Sequence, residues 1–334
     1  MKTPLKISVI SPSFNCAALV RRCIESVRAQ NYSNFEHIIV DGASTDGTVE
    51  ILKEYPHLRY ISEPDKGEAE ALNKALRMVS GDIVNWLNVD DTYLGENVFS
   101  LIVDAAAENS NRDVFYGKGL SVNEVGEVLW YRRPFVDLTL PALMRWFANP
   151  NLFQPAMFYR RAVVENVGFF REDLHYGIDY DYWLRVAAKG HKSFFIERVL
   201  ALATLVREGA KSGAPYEDQH LAWMEIARPF EEQLSYSERV NYWKDFYFYR
   251  IRPPVHYNHE FVVPESEAEL HGFTVAALEL GHLPLAAQGV ERLSANFSTS
   301  PDAYWLLSEV LHQTGNTPLS VSAREHGVAL MRQR

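Results

Sequence analysis

The feature that most restricts the fold of this chain is an alternation running through roughly its first 90 residues. Short apolar runs end at polar or glycine turns, and each is followed by apolar residues at helical spacing. Residues 7–10 read as a buried strand stopped by Ser11-Pro12-Ser13, because a residue ahead of proline is pushed out of helical geometry. Leu19, Val20, Cys23, Ile24 and Val27 then share one helical face, with Arg21, Arg22, Glu25 and Arg28 opposite. Residues 37–40 form the next strand and end at Asp41-Gly42, after which Thr45-Asp46-Gly47-Thr48 opens a helix to residue 55. A third strand over 58–61, a helix over 67–79 striped by Leu72, Ala75, Leu76 and Val79, and a fourth strand over 83–88 complete the run.

Parallel strands need crossover connections, so strands and helices trading places at this pace predict a doubly wound α/β half with a mostly parallel sheet. Ligands of such sheets sit beyond the carboxyl ends of the strands. Asp41 and the Asp90-Asp91 pair both fall on that edge.

The pattern then changes. Residues 114–122 and 126–131 read as a hairpin, 155–159 as a strand, 161–166 as a short helix, 179–188 as a stronger helix ending at Gly190, and 194–203 as a further strand. Residues 208–220 shift to glycine, serine, proline and charge, and 217–250 is a helical stretch rich in both aromatics and charge. Beyond a proline-rich break, 268–280, 283–297 and 301–314 are three helical patterns that resemble tetratricopeptide units. The expected division is a catalytic domain over 1–215, a helical extension over 216–255 and a helical tail over 256–334.

At 334 residues the chain exceeds what one ordinary core needs, which suits a large domain with an appendage. Its 33 basic and 43 acidic side chains leave a net charge of -10, the wrong sign for a protein living by duplex DNA binding. That charge also means an anionic ligand needs something other than the average field to hold it. Cys16 and Cys23, with no companion cysteines, read as packed thiols rather than a disulfide or zinc pair. No run approaches 18 apolar residues, and polar residues interrupt the amino-terminal strand where a signal sequence needs a solid apolar core. The expected location is cytoplasmic, with peripheral contact at the inner face of the cell membrane.

The chemistry concentrates in carboxylates. Asp41 stands at a strand end where a carboxylate can accept hydrogen bonds from a ribose or base, or can cap the next turn. Adjacent Asp90 and Asp91 repel one another unless something positive sits there, and a hard divalent cation carrying a phosphorylated substrate answers that need. Asp179 and Asp181 lie at a helix start, where the charged carboxylate is stabilised and ready to take a proton. Arg185 stands four residues beyond Asp181, the spacing of an intrahelical ion pair. Asp65 and Lys66 precede Gly67 at the next helix start, a place for a phosphate contact or a cap.

Taken in order, these strings resemble the inverting family 2 glycosyltransferases of the GT-A fold. The matching pieces are Ser8-Val9-Ile10-Ser11-Pro12-Ser13-Phe14-Asn15, Val40-Asp41-Gly42-Ala43-Ser44-Thr45-Asp46-Gly47-Thr48, Glu63-Pro64-Asp65-Lys66-Gly67, Asn73-Lys74-Ala75-Leu76 and Asn85-Trp86-Leu87-Asn88-Val89-Asp90-Asp91. Gln154-Pro155, Val167-Gly168-Phe169-Phe170 and Asp179-Tyr180-Asp181-Tyr182-Trp183 follow in sequence, so the resemblance spans residues 5–212. It implies a GT-A nucleotide-sugar-binding sheet with flanking helices, to which this chain adds an all-helical carboxyl-terminal extension.

By the same resemblance, Pro12, Phe14, Asp41, Asp65, Lys66 and Asn88 approach the nucleotide, Asp90 binds Mg2+ or Mn2+ with Asp91 adjacent, and Asp179 is the general base. Gln154 falls on the acceptor side. Asn88 replaces the first carboxylate of the metal motif, and Glu208 stands where a histidine is frequent, leaving Arg207 and Lys211 as the basic contacts to a diphosphate. The implied activity is metal-dependent transfer from a UDP-, GDP- or dTDP-sugar to a glycan or lipid-linked acceptor in surface polysaccharide biosynthesis, without nucleic acid and with a homodimer as the expected assembly. The alternative is a catalytically inactive nucleotide-sugar-binding scaffold, against which the presence of Asp90, Asp91 and Asp179 argues.

Overall fold

The computed structural model describes residues 4–132, 134, 138–146, 152–205, 216–251 and 264–331. They fall into two compact units, one of Met1–Leu143 with Asn151–Arg228 and one of Met144–Pro150 with Pro229–Arg334.

The first unit is built on a mixed nine-stranded sheet. Strands β1 (Ile7–Ser13), β2 (Phe35–Asp41), β3 (Leu58–Ser62) and β4 (Ile83–Trp86) run parallel in the order β3-β2-β1-β4, joined by helices α1 (Val20–Arg28), α2 (Thr48–Lys53) and α3 (Glu68–Leu76). Beyond Asp90 the chain enters β5 (Asp91–Tyr93), α4 (Val98–Glu108), β6 (Val114–Val122), β7 (Val128–Arg132) and α5 (Leu140–Met144). Then come β8 (Met157–Arg160), α6 (Arg161–Val167), α7 (Ile178–Ala188), β9 (Ser193–Thr204) and α8 (Tyr216–Ala227). The sheet continues past β4 as β8-β6-β9-β5, with β7 hairpinned onto β6. Here antiparallel pairings replace the parallel ones, except between β6 and β9.

Strands covered on both faces must satisfy every polar group they bury, and β1 shows how. Its Ser8 hydroxyl donates to Glu36 (2.6 Å) and Ser11 pairs with the His37 ring (3.0 Å), so a serine-bearing strand passes through the middle of the sheet. Helix α1 lays down the stripe expected from its spacing. Cys23 and Val27 join Ile7, Val9, Ile83, Phe99 and Phe158, while Val20 and Ile24 join Ile39, Leu52 and Tyr55. Each such aliphatic burial is worth about 1.5–3 kcal/mol, and a charge at Val27 would break the contact. Both cysteines are free thiols. Cys23 lies in the core, whereas Cys16 precedes α1 and is half-buried.

The second unit holds α9 (Tyr236–Ile251), α10 (Glu267–Glu279), α11 (Leu283–Asn296), α12 (Pro301–Gln313) and α13 (Thr317–Met331). The Ser266 hydroxyl caps α10 by accepting from the Glu269 N–H (3.3 Å). Gly272 lets α9 and α10 close up, since a Cβ there would stand 2.5 Å from the Lys244 nitrogen. Among the described residues the tail has four helices, α10–α13, where its periodicity suggested three. No helix among the described residues is long and apolar enough to cross a membrane.

Candidate active site

The loops that leave the carboxyl ends of β1, β2 and β4 converge on a cavity of about 680 Å³, within the size range of small-molecule sites. Pro12 and Phe14 line it from β1, Gly42 from the end of β2, Asp65, Gly67 and Glu68 from the approach to α3, and Trp86, Asn88 and Asp90 from the end of β4. From the far side come Gln154, the segment His175 to Asp179 that opens α7, and Gln219 and Trp223 of α8.

One end of the cavity is tightly drawn. A Cβ at Gly42 would lie 3.0 Å from an Asp65 carboxylate oxygen and 3.2 Å from the Phe14 ring, so glycine is what allows these two side chains to meet beside the strand end. Phe14 is 63% exposed, an aromatic surface waiting for cover. The loops here also carry the two non-glycine residues with positive φ among those described, Asn15 (48°) and Ala43 (60°). Such strain persists where the surroundings impose it, and here Asn15 is held by hydrogen bonds to Ser44 (2.7 Å) and Thr45 (3.0 Å).

Asp41 sits beneath this end rather than in it. It is fully buried and does not line the cavity. Its carboxylate accepts from the Ser44 N–H (2.9 Å), the Ser44 hydroxyl (2.5 Å) and the Ser62 hydroxyl (2.8 Å). A carboxylate so occupied sets the loop after β2.

The adjacent aspartates separate. Asp90 occupies the turn and reaches the cavity, whereas Asp91 opens β5, pairs opposite Ala203 and is 5% exposed. Burial pushes the Asp90 carboxyl up to about 6, partly offset by its own backbone N–H and reinforced by Glu68. Burial drives the Asp91 carboxyl well above the ordinary range, with the Asp90 charge adding. A turn and a strand thus send these neighbouring side chains to different surroundings, and of the two Asp90 is the one that lines the cavity.

Lys66 also leaves the main cavity. It lines a second one of about 200 Å³ beside Glu70, Glu172, Asp173 and His175. Asp65, Asn88 and Asp179 are brought together as expected. Asn88 accepts from the Trp86 indole N–H (2.5 Å), and Gln154 donates to the Trp86 carbonyl (2.5 Å), which fixes the wall between them. Arg207 and Lys211 lie outside the described residues.

Asp179 stands in the first turn of α7, and its Oδ1 accepts from the Tyr180 N–H (2.8 Å). Asp181 is claimed by Arg185, which donates from Nε at 2.8 Å, the intrahelical pair that the spacing predicts. The approach to α7 is anchored by Asn73 of α3. Its amide nitrogen donates to the Phe170 carbonyl (3.0 Å) and to Glu172 (2.8 Å), and its oxygen accepts from the Phe170 N–H (2.8 Å). The Phe170 ring in turn meets Trp86 edge-on at 4.9 Å and stacks on Tyr182 of α7 at 4.5 Å.

Among the described lining residues are four carboxylates, Asp65, Glu68, Asp90 and Asp179, and no lysine or arginine. No group of three or more His, Cys, Asp or Glu among the described residues forms a metal cage. Such a site suits a hard divalent cation held by one or two carboxylates, with the remaining oxygens coming from phosphate and water.

Comparison with known proteins places the fold and the family of this chain. The family described as Glycosyl transferase family 2 matches residues 8–168. An uncharacterized glycosyltransferase of Mycobacterium tuberculosis (strain ATCC 25618 / H37Rv) is 30% identical over 186 residues, covering 54% of this chain and 68% of that protein. One from Rickettsia conorii is 31% identical over 192 residues, covering 54% of this chain and 31% of the relative. Escherichia coli chondroitin synthase is 29% identical over 198 residues, 57% of this chain and 27% of the synthase. The match thus spans about a third or less of the length of these last two. Among solved structures, residues 1–349 of S. aureus TarS in complex with UDP-GlcNAc superpose with a TM-score of 0.58 at 19% identity, over 96% of this chain and 91% of that one. At that identity the likeness concerns the fold.

Proposed function

Because this chain belongs to glycosyl transferase family 2, we propose that it transfers a glycosyl group, with inversion, from a nucleoside-diphosphate sugar to a hydroxyl of a saccharide or lipid-linked saccharide acceptor. The product is a surface polysaccharide, built at the cytoplasmic face of the membrane. One observation carries the reading: Asp90 and Asp179, from the sheet edge and from the start of α7, line the same cavity as Phe14, Asp65 and Asn88.

Phe14, Gly42 and Asp65 hold the base and ribose, the ring giving a stacking surface and the carboxylate accepting hydroxyl protons. Asp179 takes the proton of the attacking acceptor hydroxyl. The Tyr180 N–H holds its Oδ1 in the first turn of α7, which orients the carboxylate for that role. Asp90 would hold Mg2+ or Mn2+ with Asn88 beside it, and that cation, when bound, supplies neutralising charge to a departing nucleoside diphosphate. Arg207 and Lys211 contribute further positive charge. In the tail we assign α10–α13 to tetratricopeptide-like pairs that dock a partner or a second copy, which light scattering of the full chain over a concentration series tests.

The decisive experiment is a screen of UDP-, GDP- and dTDP-sugars for divalent-cation-dependent release of nucleoside diphosphate, run beside Asp179→Asn. UDP sugars come first, since TarS is seen with UDP-GlcNAc. The variant is expected to bind donor and lose transfer. Undiminished transfer by Asp179→Asn would refute the base assignment, and donor binding without turnover in the unaltered chain would favour a nucleotide-sugar-binding scaffold.

A further inference from the structure

The ribbon of β6 and β7 carries apolar surface that the cavity does not use. Val125, Val128, Leu129, Trp130 and Tyr131 are each between 40% and 79% exposed, and none of them lines the cavity. Strand β4 runs antiparallel to β8, and β8 antiparallel to β6, so the turn after β6 stands on the same carboxyl edge as the cavity loops. The ribbon has a fixed shape. The Asn123 side chain accepts from the Glu127 N–H (2.8 Å) and donates to the Glu127 carboxylate (2.8 Å), and Gly126 takes the turn at φ of 86°. Among the described residues β7 pairs with β6 alone. Such an edge presents backbone N–H and C=O groups that a further strand can pair. Trp130 and Tyr131 are adjacent in the strand and point to opposite faces, so apolar surface flanks the edge on both sides.

We propose that β7 pairs antiparallel with β7 of a second copy of this chain, joining two ribbons about a two-fold axis at Trp130. Charge selects this occupant. The turn of the ribbon carries Glu124 and Glu127, and its return strand ends at Arg132, with Arg133 next in sequence. Antiparallel pairing sets the acidic turn of each copy beside the basic end of the other, whereas a parallel pairing would set like charges together. An anionic bilayer would meet the two glutamates first, on a chain of net charge -10. At the axis the two indoles come side by side as an aromatic cross-strand pair. A two-fold contact of this kind is closed, so it stops at two copies. Its size sets its strength. A large aromatic buries about 150–250 Å² when fully covered, so this half-exposed set offers roughly 300–400 Å² per copy, less than the roughly 600 Å² a side of the smallest standard interface. The dimer therefore forms at micromolar rather than nanomolar concentration, and the two carboxyl edges face one another across the joined ribbon. This pairing goes beyond the transfer reaction and does not depend on it.

The test is sedimentation velocity of the full chain over about 1–300 µM, the range in which a weak interface of this size associates. The average mass is expected to rise from one chain toward two. The double variant Trp130→Ser, Tyr131→Ser is expected to raise the dissociation constant about tenfold or more at an unchanged melting temperature, since both side chains are half exposed. Glu124→Lys should raise it several-fold, with a smaller effect in high salt. Under mild oxidation Trp130→Cys should form a disulfide between copies that the unaltered chain, whose Cys23 is buried and Cys16 half-buried, does not form. A single chain at every concentration overturns the proposal, as does a dimer that the double variant leaves intact. Trp130-dependent binding to phosphatidylglycerol vesicles, with the protein remaining a single chain in solution, would assign the ribbon to a bilayer and overturn it too. UDP binding in the presence of Mn2+ is expected to be the same in every variant, which separates failure of this pairing from failure of the donor-site reading.

Discussion

Asn73 offers a direct way to ask whether the two halves of the cavity are held in register. It is 2% exposed, lies on α3 and makes three hydrogen bonds to the segment leading into α7. Asn73→Ala removes the partners of both backbone groups of one residue, the N–H and the C=O of Phe170, which is itself 6% exposed. Leaving a buried polar group unpaired costs about 1–3 kcal/mol. Two such groups, with water entering to relieve part of the cost, give an expected loss of about 2–4 kcal/mol. At roughly 2–4 °C per kcal/mol for a domain of this size, the melting temperature should fall by about 5–15 °C.

The functional consequence follows from the Phe170 ring, which bridges Trp86 at the end of β4 and Tyr182 on α7. If Asn73 fixes that bridge, transfer measured well below the unfolding transition should fall about 10- to 100-fold. A displacement of about 1 Å is enough for a loss of that order. Donor KM should change little. Asn73→Asp keeps the volume and one hydrogen bond, but sets a carboxylate against the Phe170 carbonyl and Glu172. It should be worse than alanine at pH 8 and recover as the pH is lowered. Calorimetry and steady-state kinetics read both effects. If Asn73→Ala melts within about 1 °C of the unaltered protein and transfers at the same rate, the bridge has no such role.

Two further outcomes are expected. Gly42→Ala would push its Cβ to 3.0 Å from Asp65 and 3.2 Å from Phe14, both side-chain atoms that can yield. Donor KM should rise several-fold with stability changed by less than about 0.5 kcal/mol, and an unchanged donor KM would remove Asp65 and Phe14 from the donor site. His37 is fully buried, and burial, aided by nearby His57, lowers its pKa from 6.5 to about 3. The unfolded chain therefore binds the extra proton, so His37 leaves stability intact above the unfolded value and withdraws it as the pH falls toward 3. Between pH 7 and pH 5 the loss is at most about 2 kcal/mol. Urea midpoints should show it, and His37→Gln should flatten the slope. Glu36 does not confuse that window, because burial raises its pKa but hydrogen bonds from Ser8, Ser80 and Arg59 outweigh this and hold it at about 2. Its contribution is lost only as the pH drops below about 4.5.

The first four strands were legible because their evidence is local. Apolar runs bounded by Gly42 and Gly81 mark strand limits without reference to anything distant, although β1 continues through Pro12 to Ser13 beyond its expected stop, and the register of β1 against β2 and β4 puts the three loops on one edge. What the local pattern left open was contextual. Asp90 and Asp91 are neighbours in sequence, and only the one-residue step from a turn into β5 sends one to the cavity and the other into the sheet. The Asp41 string suits a ligand contact and a loop clamp equally well, and Ser62, whose hydroxyl adds to the clamp, is 21 residues away. Helix α13 mixes serine, glycine and valine with little periodic contrast, so the tail read one helix short. Gln219 and Trp223 carried a faint signal, the i, i+4 pair on an expected helix. Which aromatic of that helix meets the cavity is decided by Gly177, some 40 residues earlier.

The net charge of -10 looked awkward for a chain expected to hold a diphosphate. The cavity makes the conflict local and resolves it in kind. Four carboxylates and no described lysine or arginine line the site, so a bare diphosphate meets repulsion on entry. Burial that raises the Asp90 carboxyl to about 6 is the same penalty seen from the protein, a charge taken out of water with Glu68 near it and no described cation to answer it. On the proposed reading a divalent ion would relieve both costs together, which predicts that donor affinity is cooperative with cation affinity. By reciprocity, whatever factor Mn2+ adds to donor binding, the donor must add to Mn2+ binding. Titration of the ion with and without UDP should therefore show the same enhancement as titration of UDP with and without the ion. Independent binding of the two would mean that the carboxylates at this edge serve some purpose other than carrying a nucleotide.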